Sequence, residues 1–283
     1  YTTDGFVVKP LFFRGGNIGK LAVCGSINDL ATAGAIPLFL SAGFIIEEGF
    51  SIEKLHLIAK SMSDVCKQTG VKIVTGDTKV VERGSADGLF INTSGIGMVS
   101  EHYYPRRTEP GDEIIITGGI AEHGTAILLD RYELGIETEL ESDCAPMCCL
   151  INGLGENLKH VKLMKDPTRG GIATALNEIT IEQMLDAELN EQPIPVKSEV
   201  HAVSDILGID PLYLACEGRM IVVVEKGCGE EILRHIKALD CCSEARIIGR
   251  FTPGHHGIVC MKTFIGGKRI IPMMEGKMLP RIC

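Results

Sequence analysis

Between Ser51 and Gly70 the apolar residues Ile52, Leu55, Ile58, Ala59, Met62, Val65 and Cys66 recur at helical spacing. That period writes one face of an amphipathic helix, with Ser51 as its N-terminal cap and Gly70 as its stop. A strand is predicted over residues 71–74, which places the polar run Thr75, Gly76, Asp77, Thr78 and Lys79 at a strand's carboxyl end, where sites of α/β proteins form. Residues 90–99 read as a further strand, and Pro105 with Glu109, Pro110, Gly111 and Asp112 supplies breaker chemistry before a strand over 113–116. The uncharged run 30–46 contains Gly34, Pro37 and Gly43 and divides into a helix end, a turn and a buried strand.

The second half repeats one unit. A strand, the pair Gly118 and Gly119, and a helix from about Gly124 to Leu134 stopped by Gly135 are followed by the same order around Lys165, Asp166, Pro167, Thr168, Arg169, Gly170 and Gly171. Residues 219–224 form a strand-like run, 229–239 a helix, and 264–269 a hairpin whose two glycines suit a primed turn. The class is α+β, or mixed α/β. The breakers divide the chain into a first domain over residues 1–110, a second over 111–271, and a tail over 272–283 without periodicity, read as mobile.

A length of 283 residues with 45% apolar and 23% charged content fits two globular domains and excludes extended disorder. The net charge of −9 and the absence of a basic cluster beyond Arg106 and Arg107 argue against a nucleic-acid partner. The apolar run 30–46, at 17 residues, falls short of the roughly 20 that a membrane helix needs. No secretory leader is seen, and an opening without Met at Tyr1 leads us to expect a further N-terminal piece. An odd count of 11 cysteines without that leader reads as reduced cytosolic thiols, hence a cytoplasmic protein. Cys148 with Cys149 and Cys241 with Cys242 are vicinal pairs, and no Cys-x-x-Cys occurs, so a structural zinc site is not expected.

Gly15, Gly16, Asn17, Ile18, Gly19 and Lys20 fail the spacing of a phosphate-binding Walker loop, and the glycines at 95 and 97 lie inside a strand rather than opening a helix. More informative is the small-residue helix around Asn28 and Asp29. Taken alone, this amide and carboxylate read as a helix-surface pair. Together with Asp4 and Asp77, each beside a threonine, they favour a shared metal and phosphate site, because Mg²⁺ accepts hard carboxylate oxygens from distant segments.

That helix, with Thr2, Thr3 and Asp4, the run from Thr75 to Lys79, and the run from Asp166 to Gly171, resembles the aminoimidazole ribonucleotide synthetase superfamily of ATP-dependent enzymes. Phe6 to Gly16, Ala215 to Gly218 and the final Pro280, Arg281, Ile282 and Cys283 resemble the carbamoyl dehydratases of nickel-iron hydrogenase maturation within it. The resemblance implies a two-domain PurM-like fold, a homodimer built by pairing first-domain sheets, and ATP with Mg²⁺ as cofactors. It implies that the Cys283 thiol accepts a carbamoyl group from the carbamoyltransferase HypF. The thiocarbamate is then dehydrated to a thiocyanate, and cyanide passes to iron through the HypC-HypD complex.

Under that resemblance Asp4, Asn28, Asp29, Asp77 and Thr78 bind the nucleotide, with Asp4, Asp29 and Asp77 holding the metal. Lys79 neutralises the developing phosphate or orients the carbamoyl oxygen, and Glu217 takes the N–H proton. Without it, Lys79 reads as a solvated lysine and Glu217 as a turn residue before Gly218. Eleven steps from Pro272 to Cys283 span at most about 36 to 40 Å, enough to visit a site and then a partner. The superfamily carries a glycine- and acid-rich nucleotide segment upstream of Thr2, so we expect weakened ATP binding and turnover in the chain as it stands. Two alternatives remain: a phosphotransferase of the selenophosphate synthetase or thiamine-phosphate kinase type, and a non-enzymatic cysteine-rich metal carrier.

Overall fold

The computed structural model describes residues 1–132 and 136–274. The expected helix end at residues 133–135 and the expected acceptor, Cys283, lie outside the described residues.

The first sheet is built from β1 (Thr2–Phe6), β4 (Ala35–Glu47), β5 (Lys72–Val81) and β6 (Leu89–Val99), in the order β1-β6-β4-β5. β4 runs parallel to β5 and antiparallel to β6, which is also antiparallel to β1. A small ribbon of β2 (Phe12–Phe13) and β3 (Gly16–Asn17) precedes helix α1 (Ile18–Thr32). The Asn17 side chain caps α1 by accepting from the backbone N–H groups of Gly19 and Lys20, so the glycine-rich run that precedes Lys20 is a helix start. Helix α2 (Ile52–Thr69) carries the two caps the sequence predicts: Ser51 accepts from Lys54 N, and Gly70 takes the left-handed conformation. The apolar stripe of α2 buries Ile58, Met62 and Val65. In α1, 11 of 15 residues are buried, because it lies between the first sheet, α2 and the second domain.

The strand predicted over 71–74 continues to Val81, so Asp77 lies in mid-strand rather than at a carboxyl end. The parallel ladder with β4 extends from Phe39 opposite Lys72 to Glu47 opposite Val81, which keeps the backbone extended through the polar residues.

The second sheet has seven strands, in the order β13-β12-β9-β11-β7-β10-β8. These are β7 (Glu113–Ile116), β8 (Val161–Lys165), β9 (Asp186–Asn190), β10 (Ile221–Val224), β11 (Arg246–Thr252), β12 (Val259–Lys262) and β13 (Lys268–Ile271). Helices α3 (Glu122–Tyr132), α5 (Gly171–Gln183) and α6 (Ser198–Leu207) supply core residues on one face. Helices α4 (Cys149–Leu154) and α7 (Gly229–Lys237) supply them on the other. Ile114, Ile116, Ile221 and Val223 join the first core, while Ile115, Val222 and Val224 join the second. That alternation explains the unbroken apolar runs, since a strand covered on both faces has no polar side. The hairpin of β12 and β13 is closed by a five-residue connection instead of a two-residue primed turn: Gly266 N donates to Thr263 O, and Gly266 sits at φ +87°. Among the described residues, no helix is long and apolar enough to cross a membrane.

Candidate active site

A cavity of about 620 Å³ opens between the two domains. Thr3 and Asp4 of β1 and Gly25 and Asp29 of α1 form one wall; Lys165, Asp166, Thr168 and Arg169, with Thr174 and Ala175 in the first turns of α5, form the other, and Glu217 closes the floor. Three aspartates and two glutamates, Glu178 and Glu217, thus face one volume beside the Arg169 guanidinium and Lys165.

Their electrostatics follow from that crowding. Burial raises the Asp29 carboxyl to about 6, and although the Thr2 hydroxyl donates to it at 2.8 Å, the carboxylates of Asp166 and Asp4 push it up further. Asp166 is likewise raised, chiefly by burial. Glu217, 4% exposed, is pushed well above the carboxylate range by burial and by the negative groups around it, including Cys144, Asp166, Asp143 and Asp4. Among the described residues, its Oε1 is buried without a hydrogen-bond partner, as is Thr174 Oγ1 on the opposite wall. A set of crowded hard oxygen donors, three of them (Asp29, Asp166 and Glu217) with raised proton affinity, fits a hard divalent cation, which would relieve their repulsion. Among the described residues, no three of these carboxylates bring oxygens within 4.8 Å of one another.

Behind the floor, Glu217 N donates to Asp143 Oδ1 at 3.0 Å, and Arg219 donates to the carbonyls of Gly119 and Gly218 while pairing with Glu122 and Asp143. A Cβ at Gly218 would lie 1.9 Å from the Asp143 carbonyl oxygen, so only glycine lets this segment pass.

The structure separates the residues that the sequence grouped. Asp4 and Asp29 share the cavity, with Glu217. Asn28 does not face it: its amide donates to the carbonyls of Ala145 and Glu217 at 3.0 Å each, and its Oδ1 accepts from Met147 N at 2.7 Å. Adjacent helical residues point about 100° apart, so Asn28 clamps the second domain while Asp29 faces the cavity. Its expected nucleotide contact is therefore replaced by a positioning role.

Asp77, Thr78 and Lys79 are exposed on β5, three strands from β1, roughly 14 Å at the usual strand spacing. There Asp77 lines a different depression, against α2. It accepts from Thr78 N at 2.8 Å and pairs with Lys79 at 2.7 Å, a partner that holds its carboxyl below the usual carboxylate range. A single metal set of Asp4, Asp29 and Asp77 is thus not assembled within one chain, because the width of the sheet intervenes. Asp166, Arg169 and Lys165 were given no site role from the sequence, although the run from Asp166 to Gly171 was among the motifs of the resemblance. Their signal was the strand, glycine and helix order of the run ending in Gly170 and Gly171, which brings them to the start of α5.

The chain matches two family models, the AIR synthase related protein N-terminal domain over residues 1–99 and its C-terminal domain over residues 109–262. Over its whole length it is 48% identical to the carbamoyl dehydratase HypE of Rhizobium leguminosarum bv. viciae, covering 81% of that protein. It superposes with a TM-score of 0.92 on a HypE solved in a HypE-HypF complex, at 46% identity over 96% of this chain and 89% of that one. A HypE solved with ATP gives a TM-score of 0.94 at 39% identity, covering all of this chain and 86% of that one.

Proposed function

Because the chain belongs to the AIR synthase related family, with both domains matched and carbamoyl dehydratases similar along its whole length, we propose that it is an ATP-dependent carbamoyl dehydratase. It converts an S-carbamoyl group on Cys283 to a thiocyanate, the source of a cyanide ligand for the iron of nickel-iron hydrogenase. The observation that carries this reading is the buried Glu217 carboxyl, whose Oε1 has no hydrogen-bond partner among the described residues, lining one cavity with Asp4, Asp29, Asp166 and Arg169.

An amide oxygen leaves poorly; bound ATP with Mg²⁺ would supply the phosphoryl group that makes it a leaving group and offset the charge. Asp4 and Asp29, with Asp166, would hold the metal and phosphates, while Arg169 would face the transferred phosphate. Lys165 contributes less positive charge there, since Glu178 pairs with it at 2.8 Å. Glu217 would accept the N–H protons, a role suited to a carboxylate whose proton affinity burial has raised. The acceptor thiol is within reach by chain length. Asn177 of α5 donates to the Ile271 carbonyl, and six residues of helix, about 9 Å, separate Asn177 from the cavity end of α5. A chain as long as the twelve residues that follow Ile271 can span at most about 40 Å, several times that distance.

Supply of the carbamoyl group by HypF accords with the relative solved in complex with it. Delivery through the HypC-HypD complex, and a cytoplasmic site of action, complete the reading. A homodimer through the first sheet is supported by the exposed β5, on which Val74 and Val80 are 59% and 69% exposed, and by Ile96 and Met98 on β6. Such a dimer would enclose Asp77, Thr78 and Lys79, so their part in nucleotide binding is proposed for the assembled pair.

The test is intact mass of the C-terminal peptide after incubation with HypF, carbamoyl phosphate and ATP. Gain of one carbamoyl group and then loss of one water at Cys283 is expected. An unmodified Cys283 in a competent system overturns the reading, as does product formation that survives deletion of residues 281–283, the behaviour of a phosphotransferase acting on a free small molecule.

A further inference from the structure

Three of the four cysteines in the vicinal pairs meet on the face of the second domain that α4 and α7 cover, although Cys149 and Cys241 are 92 positions apart. Cys149 opens α4, and Cys241 and Cys242 lie in the 3-10 turn Asp240–Cys242 that follows α7. Gly153 makes the approach possible: a Cβ there would lie 2.5 Å from the Leu239 side chain, so α4 settles directly against the end of α7. Cys149 Sγ lies 2.9 Å from Cys241 Sγ, Cys241 Sγ lies 3.6 Å from Cys242 Sγ, and all three sulfurs are within 4.8 Å of one another.

We propose that Cys149, Cys241 and Cys242 form a trithiolate site for one thiophilic divalent ion of the Zn²⁺ class, separate from the interdomain cavity. Thiolates ligate Zn²⁺ at about 2.3 Å, and a tetrahedron of that radius has sulfur-to-sulfur edges of about 3.8 Å. Two of the separations, 2.9 and 3.6 Å, fall short of that edge and all three stay within 4.8 Å, so small side-chain rotations close the site. Cys242 is buried, Cys149 half-buried and Cys241 exposed, so the trio is fixed at its base and open at its rim, leaving a fourth position for water. Binding converts the thiols to thiolates and releases their protons to solvent. A disulfide would use two of the sulfurs and leave the third without a role. The other convergent group, His160, Glu225 and Cys228, is a weaker candidate because Arg106 already pairs with Glu225.

The experiment uses the full chain, reduced, stripped with a chelator and titrated with Co²⁺, then Zn²⁺. One equivalent of Co²⁺ is expected to give a thiolate charge-transfer band with tetrahedral ligand-field intensity, and Zn²⁺ to displace it. Cys241→Ser and Cys149→Ser are each expected to weaken Zn²⁺ binding by at least about tenfold, while Cys260→Ser does not. Cys241 is exposed, so its serine variant keeps the fold, which circular dichroism checks. Absence of the band in reduced wild-type protein overturns the proposal. So does a band that survives both substitutions, or a Cys149 to Cys241 disulfide recovered from zinc-loaded protein.

Discussion

Glu217 shows what a single side chain acquires from its surroundings. Its sequence neighbours, Cys216 and Gly218, mark a turn; its proton affinity comes from burial beside Asp143, Asp166 and Asp4, drawn from distant segments. As the base of the proposed dehydration it must give up its proton before it can act. Since burial holds that proton above the ordinary carboxylate range, thiocyanate formation is expected to rise with pH as Glu217 loses it, at pH values above those at which an ordinary carboxylic acid ionises. In Glu217→Gln the rate should fall by about 10²- to 10⁴-fold and the pH dependence flatten, with ATP affinity changed little. A pH series of single-turnover rates, alongside nucleotide titrations, checks both parts. Asp29 was legible beside it because a carboxylate in a small-residue apolar helix demands compensation. Asn28 was misassigned because the same helix cannot reveal which of two adjacent polar residues meets the second domain.

At the scale of elements, β5 is the instructive case. Residues 72–80 are exposed throughout this ten-residue edge strand, and apolar side chains lie among them. A long edge strand of this kind offers unpaired backbone groups and invites a partner. Val80→Lys is expected to weaken a first-sheet dimer by at least about tenfold, equivalent to about 1.4 kcal/mol, read as a shift toward monomer in sedimentation velocity. The helix α2 was legible almost to the residue, since Ser51, Gly70 and the apolar stripe are local signals that act before any packing. The extent of β5 was not, because Thr75 to Lys79 stay extended only through their ladder with β4. The unit of β8, Gly170, Gly171 and α5 was legible as an order of elements, and Gly171, with φ +60° and backbone oxygens within 2.6 Å of a would-be Cβ, admits no other residue.

In the whole molecule, the Asn28 amide joins the domains by three hydrogen bonds to backbone at 145, 147 and 217. Asn28→Ala leaves buried backbone groups unpaired, at about 1–3 kcal/mol, and is expected to lower the melting temperature by several degrees. Because one of those bonds holds the Glu217 carbonyl, turnover should fall with it; calorimetry and the mass assay together check this. By itself, the sequence determined what short-range physics controls: the capped helices, the strands buried on both faces, the glycine turns, and motifs dense enough to indicate a family. Only the tertiary structure decided which carboxylates share a cavity, that Asp77 stands a sheet's width away, and that cysteines 92 positions apart meet. Periodicity fixes which face a residue lies on. Contact between faces depends on how sheets and helices pack, and no local pattern encodes that.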